Sequence, residues 1–238
     1  GAAGLKATLA RLFIYPVKSA AGIESEHVDL TPHGFRHDRE WMIVDAAGRF
    51  LTQREEGRLA LLSTAIAAGR LQLKVPSGES VSVAVDHGGE SVAVRVWSAH
   101  CRAFDAGHEV AQFLSGFLGR ALRLVRFDLS QPRFSDARWT AGHSVPTLFS
   151  DGYPLLVLSQ ASIADLSARV GRDLPVQRFR PNILLDSVAP YAEDAASVLE
   201  TGAVQLQLTK ACTRCAITTI DQSTGERTGE EPLATLKA

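Results

Sequence analysis

The chain has 238 residues, a net charge of -1, 45% hydrophobic content and three cysteines. That length can bury a good core as one large or two modest domains, and the near-neutral charge sets out no face for nucleic acid or an anionic membrane. An odd cysteine count argues against a disulfide framework, no apolar run reaches the roughly 18 residues of a membrane span, and no signal peptide opens the chain. The reading is therefore a cytoplasmic protein. Gly1-Ala-Ala-Gly4, without an initiator methionine, reads as a cloning remnant.

Ala7 to Tyr15 alternates around Leu9, Leu12 and Ile14 and stops at Pro16, as a strand running into a turn does. Lys18 and Ser19 follow on the loop leaving it. A lysine and a hydroxyl beside small residues can hold an anion, although a solvated turn is the commoner meaning of a lone Lys-Ser. Glu24 to Leu30 reads as a second strand, with Thr31-Pro-His-Gly34 as its turn. The charged Arg36-His-Asp-Arg-Glu40 leads into a buried run, Trp41 to Val44, and Arg39 stands where that strand emerges. Asp45-Ala-Ala-Gly48 is a hairpin turn. Strands then follow one another at Leu71–Val75, Val81–Val85 and Ser91–Val96, at a spacing typical of a barrel or sandwich. Cys101 to Asp105 extends the sheet, with a structural cysteine. His108 to Leu118 predicts a helix with Val110, Phe113, Leu114 and Phe117 on one face and Gly119 as its stop, and Ala121 to Phe127 returns to strand.

Asp128 to Phe149, rich in Pro, Ser and Gly, is the candidate boundary or active-site loop; its Arg133 and Arg138 could reach an anionic ligand or simply be solvated. Asp151-Gly-Tyr-Pro154 is a turn, Leu155 to Leu158 a buried strand, and Ser159 a cap for a helix through Val170. In Arg178-Phe-Arg-Pro-Asn-Ile-Leu-Leu185 an arginine stops at a proline and a strand begins, which is one way to present a rigid guanidinium to a phosphate or carboxylate. A strand-edge arginine paired with Glu193 or Asp194 is the plainer alternative. Val204 to Thr209 is the strand that delivers Cys212-Thr-Arg-Cys215, and the β-branched Ala216 to Ile220 is read as strand continuing beyond it.

A thiolate is a nucleophile and a soft metal ligand, and a neighbouring guanidinium favours the ionised form, so Cys215, following Arg214, is the residue expected to do chemistry. A bare Cys-x-x-Cys has competing meanings. Half a zinc site would need Cys101 and His100 to complete it, a thioredoxin-like pair would open a helix, and two buried thiols can pack as small hydrophobes. The scattered histidines show no ligand-like spacing.

Five motifs together resemble the MOSC family, in the branch that includes amidoxime-reducing components and their bacterial relatives. They are Tyr-Pro-Val-Lys-Ser-x-x-Gly, His-Asp-Arg-x-Trp, Asp-Gly-Tyr-Pro, Arg-Phe-Arg-Pro-Asn-Ile and Cys-Thr-Arg-Cys-Ala-Ile-Thr-Thr-Ile-Asp-Gln-Ser-Thr-Gly with its sequel Glu-Pro-Leu-Ala-Thr-Leu. The resemblance implies a mainly β fold with a few helices: an N-terminal β-barrel-like domain, here 1–129, followed by a MOSC-type β-barrel domain, 130–238, shortened at its C-terminus. It further implies that a molybdenum cofactor (Mo-molybdopterin) is held by Lys18, Ser19, Arg39 and Arg180 at the pterin and its phosphate. Asp151, Gly152 and Tyr153 would line it, Thr213 and Arg214 would flank it, and Cys215 would ligate molybdenum. The implied activity is reduction of a small N-hydroxylated substrate with electrons from a flavoprotein reductase or iron–sulfur protein, with no nucleic acid and no membrane as partner. A molybdenum cofactor or persulfide sulfur-carrier module is the alternative, and the family as a whole also carries an association with pyridoxal phosphate binding.

Overall fold

The structure, a computed structural model, describes residues 6–238; the Gly1–Gly4 segment read as a cloning remnant lies outside them. Strands dominate, accompanied by four α-helices among the described residues. One antiparallel sheet runs Trp41–Asp45, Leu122–Phe127, Ala99–Asp105, Ser91–Val96. Its first strand is buried on both faces. Trp41 and Ile43 enter one apolar cluster, while Met42 and Val44 enter another with Phe127 and Phe149. Successive side chains of a strand point to opposite faces, so a strand between two cores must be apolar at every position, as Trp41 to Val44 is.

The helix His108–Leu118 closes the first cluster with Val110, Leu114 and Leu118, and Gly119, at φ 68°, is the left-handed cap that stops it. Phe113 and Phe117, expected on the central stripe, are only partly buried against that core. A three-stranded antiparallel meander, Ser63–Ala67, Arg70–Lys74 and Ser80–Ala84, covers the cluster through Leu71, Leu73 and Val81.

The second four-stranded sheet orders Val157–Ser159, Ile183–Asp186, Thr8–Ile14 and Ile23–Ser25. The first strand of the chain thus pairs antiparallel with one from the C-terminal half, Leu12 opposite Ile183. Antiparallel pairing sets the end of one strand beside the start of its partner, so Tyr15–Ser19 leaves next to Arg180–Asn182. Val17 in turn bridges to Trp41, and Lys18 N–H donates to the Trp41 carbonyl at 2.9 Å, which joins this corner to the first sheet.

The expected helix after Ser159 runs Gln160–Val170, with the Ser159 hydroxyl accepting from Ser162 N–H at 3.1 Å. Beyond the Val198–Thr201 and Val204–Gln207 hairpin, one expectation fails: Ala216–Thr219 is a 3₁₀ turn, not strand. The hydroxyls of Thr218 and Thr219 donate to the carbonyls of Cys215 and Ala216 at 2.9 and 2.6 Å, offering the backbone a local alternative to a sheet ladder.

Candidate functional site

Tyr15 organises the corner where the sheets meet. Its ring is buried, its hydroxyl donates to the Pro181 carbonyl at 2.9 Å, and the guanidinium carbons of Arg39 and Arg180 each lie 4.3 Å from its centroid. Cations over an electron-rich ring are held electrostatically as well as by packing. Burial, outweighing the opposing pull of Arg180 and Arg39, pushes the phenol up to about 12, so the ring stays neutral. Gly22 closes the first motif for a steric reason, since a β-carbon there would stand 2.5 Å from the Tyr15 ring.

Arg39 Nη1 donates to both oxygens of the buried Asp38 at 2.9 Å, and Asn182 donates to Asp38 at 3.1 Å while its own oxygen accepts from Leu156 N–H. Arg180 differs: one terminal nitrogen donates to the Ala20 carbonyl at 2.6 Å, and the other, Nη2, is buried without a partner. The alternative pairing with Glu193 or Asp194 does not occur; Glu193 accepts instead from Ser159 N–H and the Ser162 hydroxyl. Burial and then the charge of Arg39 lower Arg180 to about 10, against the weaker upward pulls of Tyr15, Asp38 and Asp151.

Lys18 is buried rather than solvated, its side chain 6% exposed. Its ammonium donates to the Phe149 carbonyl at 2.7 Å and to Asp151 at 2.6 Å. Burial pushes its pKa down to about 8 against the upward pull of Asp151. The Asp151 side chain is 54% exposed and accepts from Lys18, Arg54 and Trp97. Burial would raise its pKa, but Lys18, Arg54 and the Trp97 indole N–H hold it well below the ordinary carboxylate range. Arg54 links this pair to the thiol, with Nη2 at 3.0 Å from Asp151 and 3.2 Å from the Cys215 sulfur.

The guanidinium at Cys215 is therefore not the sequence neighbour. Arg214 turns away, donating to the Phe179 carbonyl at 2.6 Å and to the exposed Cys212 sulfur at 3.3 Å, and its Nε is buried without a partner. The Tyr153 hydroxyl is likewise buried and unpartnered, and nothing lies within 4 Å of a β-carbon built at Gly152. Ser19 is buried and Thr213 exposed. Arg133 binds no open space: it clamps the carbonyls of Leu148, Ser150 and Asp151, fixing the loop that carries the aspartate. Arg138 pairs with Asp136 at the surface.

Sequence reasoning missed Arg54, Trp97 and Gln53. Gln53 donates to the Ser19 carbonyl at 2.7 Å and exchanges hydrogen bonds with Gln222, so it ties the Lys-Ser turn to the Asp-Gln-Ser-Thr-Gly turn. One signal lies in the backbone. Of the three missed residues, only Trp97 holds a positive φ, 52°, a region that costs residues with side chains; Ser19, Arg39 and Arg180 share it, among nine such non-glycine residues described.

Fold and site together define a mainly β protein with a thiol set in a cation-rich junction between two sheets. The chain belongs to the MOSC family: the MOSC N-terminal beta barrel domain matches residues 6–121 and the MOSC domain residues 144–238. It is similar to mitochondrial amidoxime-reducing component 1 of Mus musculus, at 34% identity over 97% of this chain and 71% of that protein. Mitochondrial amidoxime reducing component 2 of Homo sapiens is 30% identical over 97% of this chain and 72% of its own length. The molybdenum cofactor sulfurase of Danio rerio is 34% identical over 98% of this chain and 30% of its own length.

Proposed function

We propose that this protein reduces small N-hydroxylated compounds with a molybdenum cofactor bound at Cys215. The observation that carries the reading is that three residues of the implied cofactor set hold buried donors without partners, Arg180 Nη2, Arg214 Nε and the Tyr153 hydroxyl, while the Cys215 sulfur accepts from Arg54. Unsatisfied buried donors are expensive, and an anion with several oxygens would satisfy them. A soft sulfur ligand beside such donors fits a phosphate-bearing pterin that carries a sulfur-ligated metal.

In this reading Cys215 holds the metal, and Lys18, Ser19, Arg39 and Arg180 bind the pterin and its phosphate. Asp151, Gly152 and Tyr153 line the group, and Thr213 and Arg214 flank it. The cofactor, when bound, supplies two-electron redox chemistry at an N–O bond. The balance is one N-hydroxyl compound, two electrons and two protons giving the N–H compound and water. The protein's own part is to orient and to hold charge. Lys18 and Arg54 keep Asp151 ionised, and Arg54 stays over the sulfur. The electrons are assigned to a flavoprotein reductase acting through an iron–sulfur or haem protein.

Protein purified from a cofactor-competent host should contain molybdenum near one atom per chain, and Cys215→Ala should lose the metal and the reduction of an amidoxime. Full activity in Cys215→Ala would refute the ligand role. The similarity to a molybdenum cofactor sulfurase favours a second reading, a sulfur carrier with a persulfide on Cys215. Mass spectrometry showing that adduct in metal-free protein would select it.

A further inference from the structure

Trp97 donates its N–H to Asp151, but the rest of its indole has no role in the site as described. It is the first of two residues, Trp97-Ser98, that turn the strand Ser91–Val96 into Ala99–Asp105, with Val96 opposite Ala99. Its φ is 52°. A two-residue hairpin with positive φ at its first position favours glycine there, and a bulky residue in that conformation is a true outlier. Strain of this kind persists where the surroundings hold it in place, and here they do. The indole N–H donates to Asp151 at 3.0 Å, Phe50 packs on the ring at a centroid distance of 5.2 Å, and the Arg54 guanidinium carbon lies 4.8 Å from the ring centroid. That same guanidinium reaches the Cys215 sulfur at 3.2 Å. Despite these anchors the residue remains 48% exposed. A large aromatic held by three contacts and still open to solvent thus stands one side chain away from the thiol.

We propose that Trp97 is a specificity-determining residue: its open indole surface stacks the planar π system of an aryl N-hydroxylated substrate, while its contacts with Arg54 and Asp151 fix the ring's orientation. The proposal rests on the reductase reading for its substrate class, but its binding consequence can be measured without turnover. Aromatic pairs contribute beyond plain area burial, whereas a methyl group gains little from an indole face. Discrimination between aryl and methyl compounds should therefore pass through this one side chain.

The test uses holoprotein and two probes, benzamidoxime and acetamidoxime, with binding measured by titration calorimetry, contact with the indole followed by tryptophan fluorescence and, in parallel, turnover assayed. Wild type should bind benzamidoxime about tenfold more tightly than acetamidoxime, with quenching on binding. Trp97→Ala should bring that ratio close to unity by weakening benzamidoxime more than acetamidoxime. Trp97→Phe, which keeps a ring but loses the N–H donated to Asp151, should retain most of the ratio while losing the quench. The proposal is overturned if Trp97→Ala keeps the wild-type ratio, if both compounds weaken alike, if the quench persists in Trp97→Phe, or if wild type binds neither compound. If the binding ratio behaves as expected but neither compound is reduced, the reductase reading fails and the stacking role stands.

Discussion

The guanidinium of Arg54 stands 3.2 Å from the sulfur of Cys215, a residue 161 positions further along the chain, and a second contact of the same nitrogen reaches Asp151 at 3.0 Å. One side chain thus spans the thiol and the carboxylate that neutralises Lys18. Hydrogen bonds to charged groups are the strong ones, and lysine lacks the planar guanidinium that packs over the Trp97 ring while reaching both partners. Arg54→Ala should therefore lower kcat/KM for an amidoxime by about tenfold or more, and Arg54→Lys should restore only part of it. The melting temperature should change little, because Asp151 keeps Lys18 and Trp97. Unchanged kinetics in Arg54→Ala would remove Arg54 from the site.

Lys18 gives a pH signature. Its folded pKa, about 8, lies below the ordinary 10.5, so between those values the unfolded chain binds more protons than the folded one. Stability then rises with pH across that window, by at most about 1.4 kcal/mol per pH unit. Asp151 acts at the other end: its lowered pKa gives stability that is present above the ordinary 3.8 and is lost as pH falls below it. Urea midpoints of wild type and Lys18→Met at pH 8 and pH 10 test the alkaline part. The gain of wild type over the variant should grow between the two; a shrinking gain would contradict the burial of an ammonium there.

The strands were legible where alternation or continuous burial announced them, and His108–Leu118 was legible because an apolar stripe ended at a glycine in the left-handed cap. Ser63–Ala67 escaped notice because its outward Ser and Ala positions blur the alternation. Ala216–Thr219 misled because β-branched threonines favour strands, yet their hydroxyls here bond back to the preceding carbonyls. The cationic side chains at strand ends could be picked out one by one. Arg54 and Trp97 could not, since neither sits in a local pattern, and their meaning comes from the fold bringing residues 54, 97, 151 and 215 together.

Ser159 offers a check on stability away from the thiol. Its hydroxyl caps Gln160–Val170, it is fully buried, and Glu193 accepts from its N–H at 2.9 Å and from the Ser162 hydroxyl at 2.6 Å. Ser159→Ala removes the cap and leaves Ser162 N–H unpartnered, which should cost about 1–2 kcal/mol in denaturant unfolding. Molybdenum content should be unaffected. Loss of metal in this variant would mean that the helix supports the site, against the contacts described above.

The close approach of Gly57 to Gly225 tests how the thiol segment is docked. A β-carbon at Gly57 would stand 2.0 Å from the Gly225 carbonyl oxygen, so the two backbones touch where no side chain fits. Gly225 closes the Asp221 turn through a 2.8 Å bond to the Asp221 carbonyl, and the chain from that turn runs back through Ile220 and Thr219 to Cys215. Gly57→Ala must push this turn off the N-terminal half, since backbone on both sides leaves no flexible atom to yield. The expected loss is about 1–3 kcal/mol of stability together with reduced molybdenum content, because the thiol moves with its turn. Gly116→Ala is the matched control: it lies inside His108–Leu118 with nothing within 4 Å of the added carbon, and alanine there should stabilise by up to about 1 kcal/mol. If Gly57→Ala proves as benign as Gly116→Ala, the segment bearing Cys215 is not held by this contact and its docking must come from side-chain contacts such as Gln53 with Gln222, Arg54 with Cys215 and Arg178 with the Thr218 carbonyl.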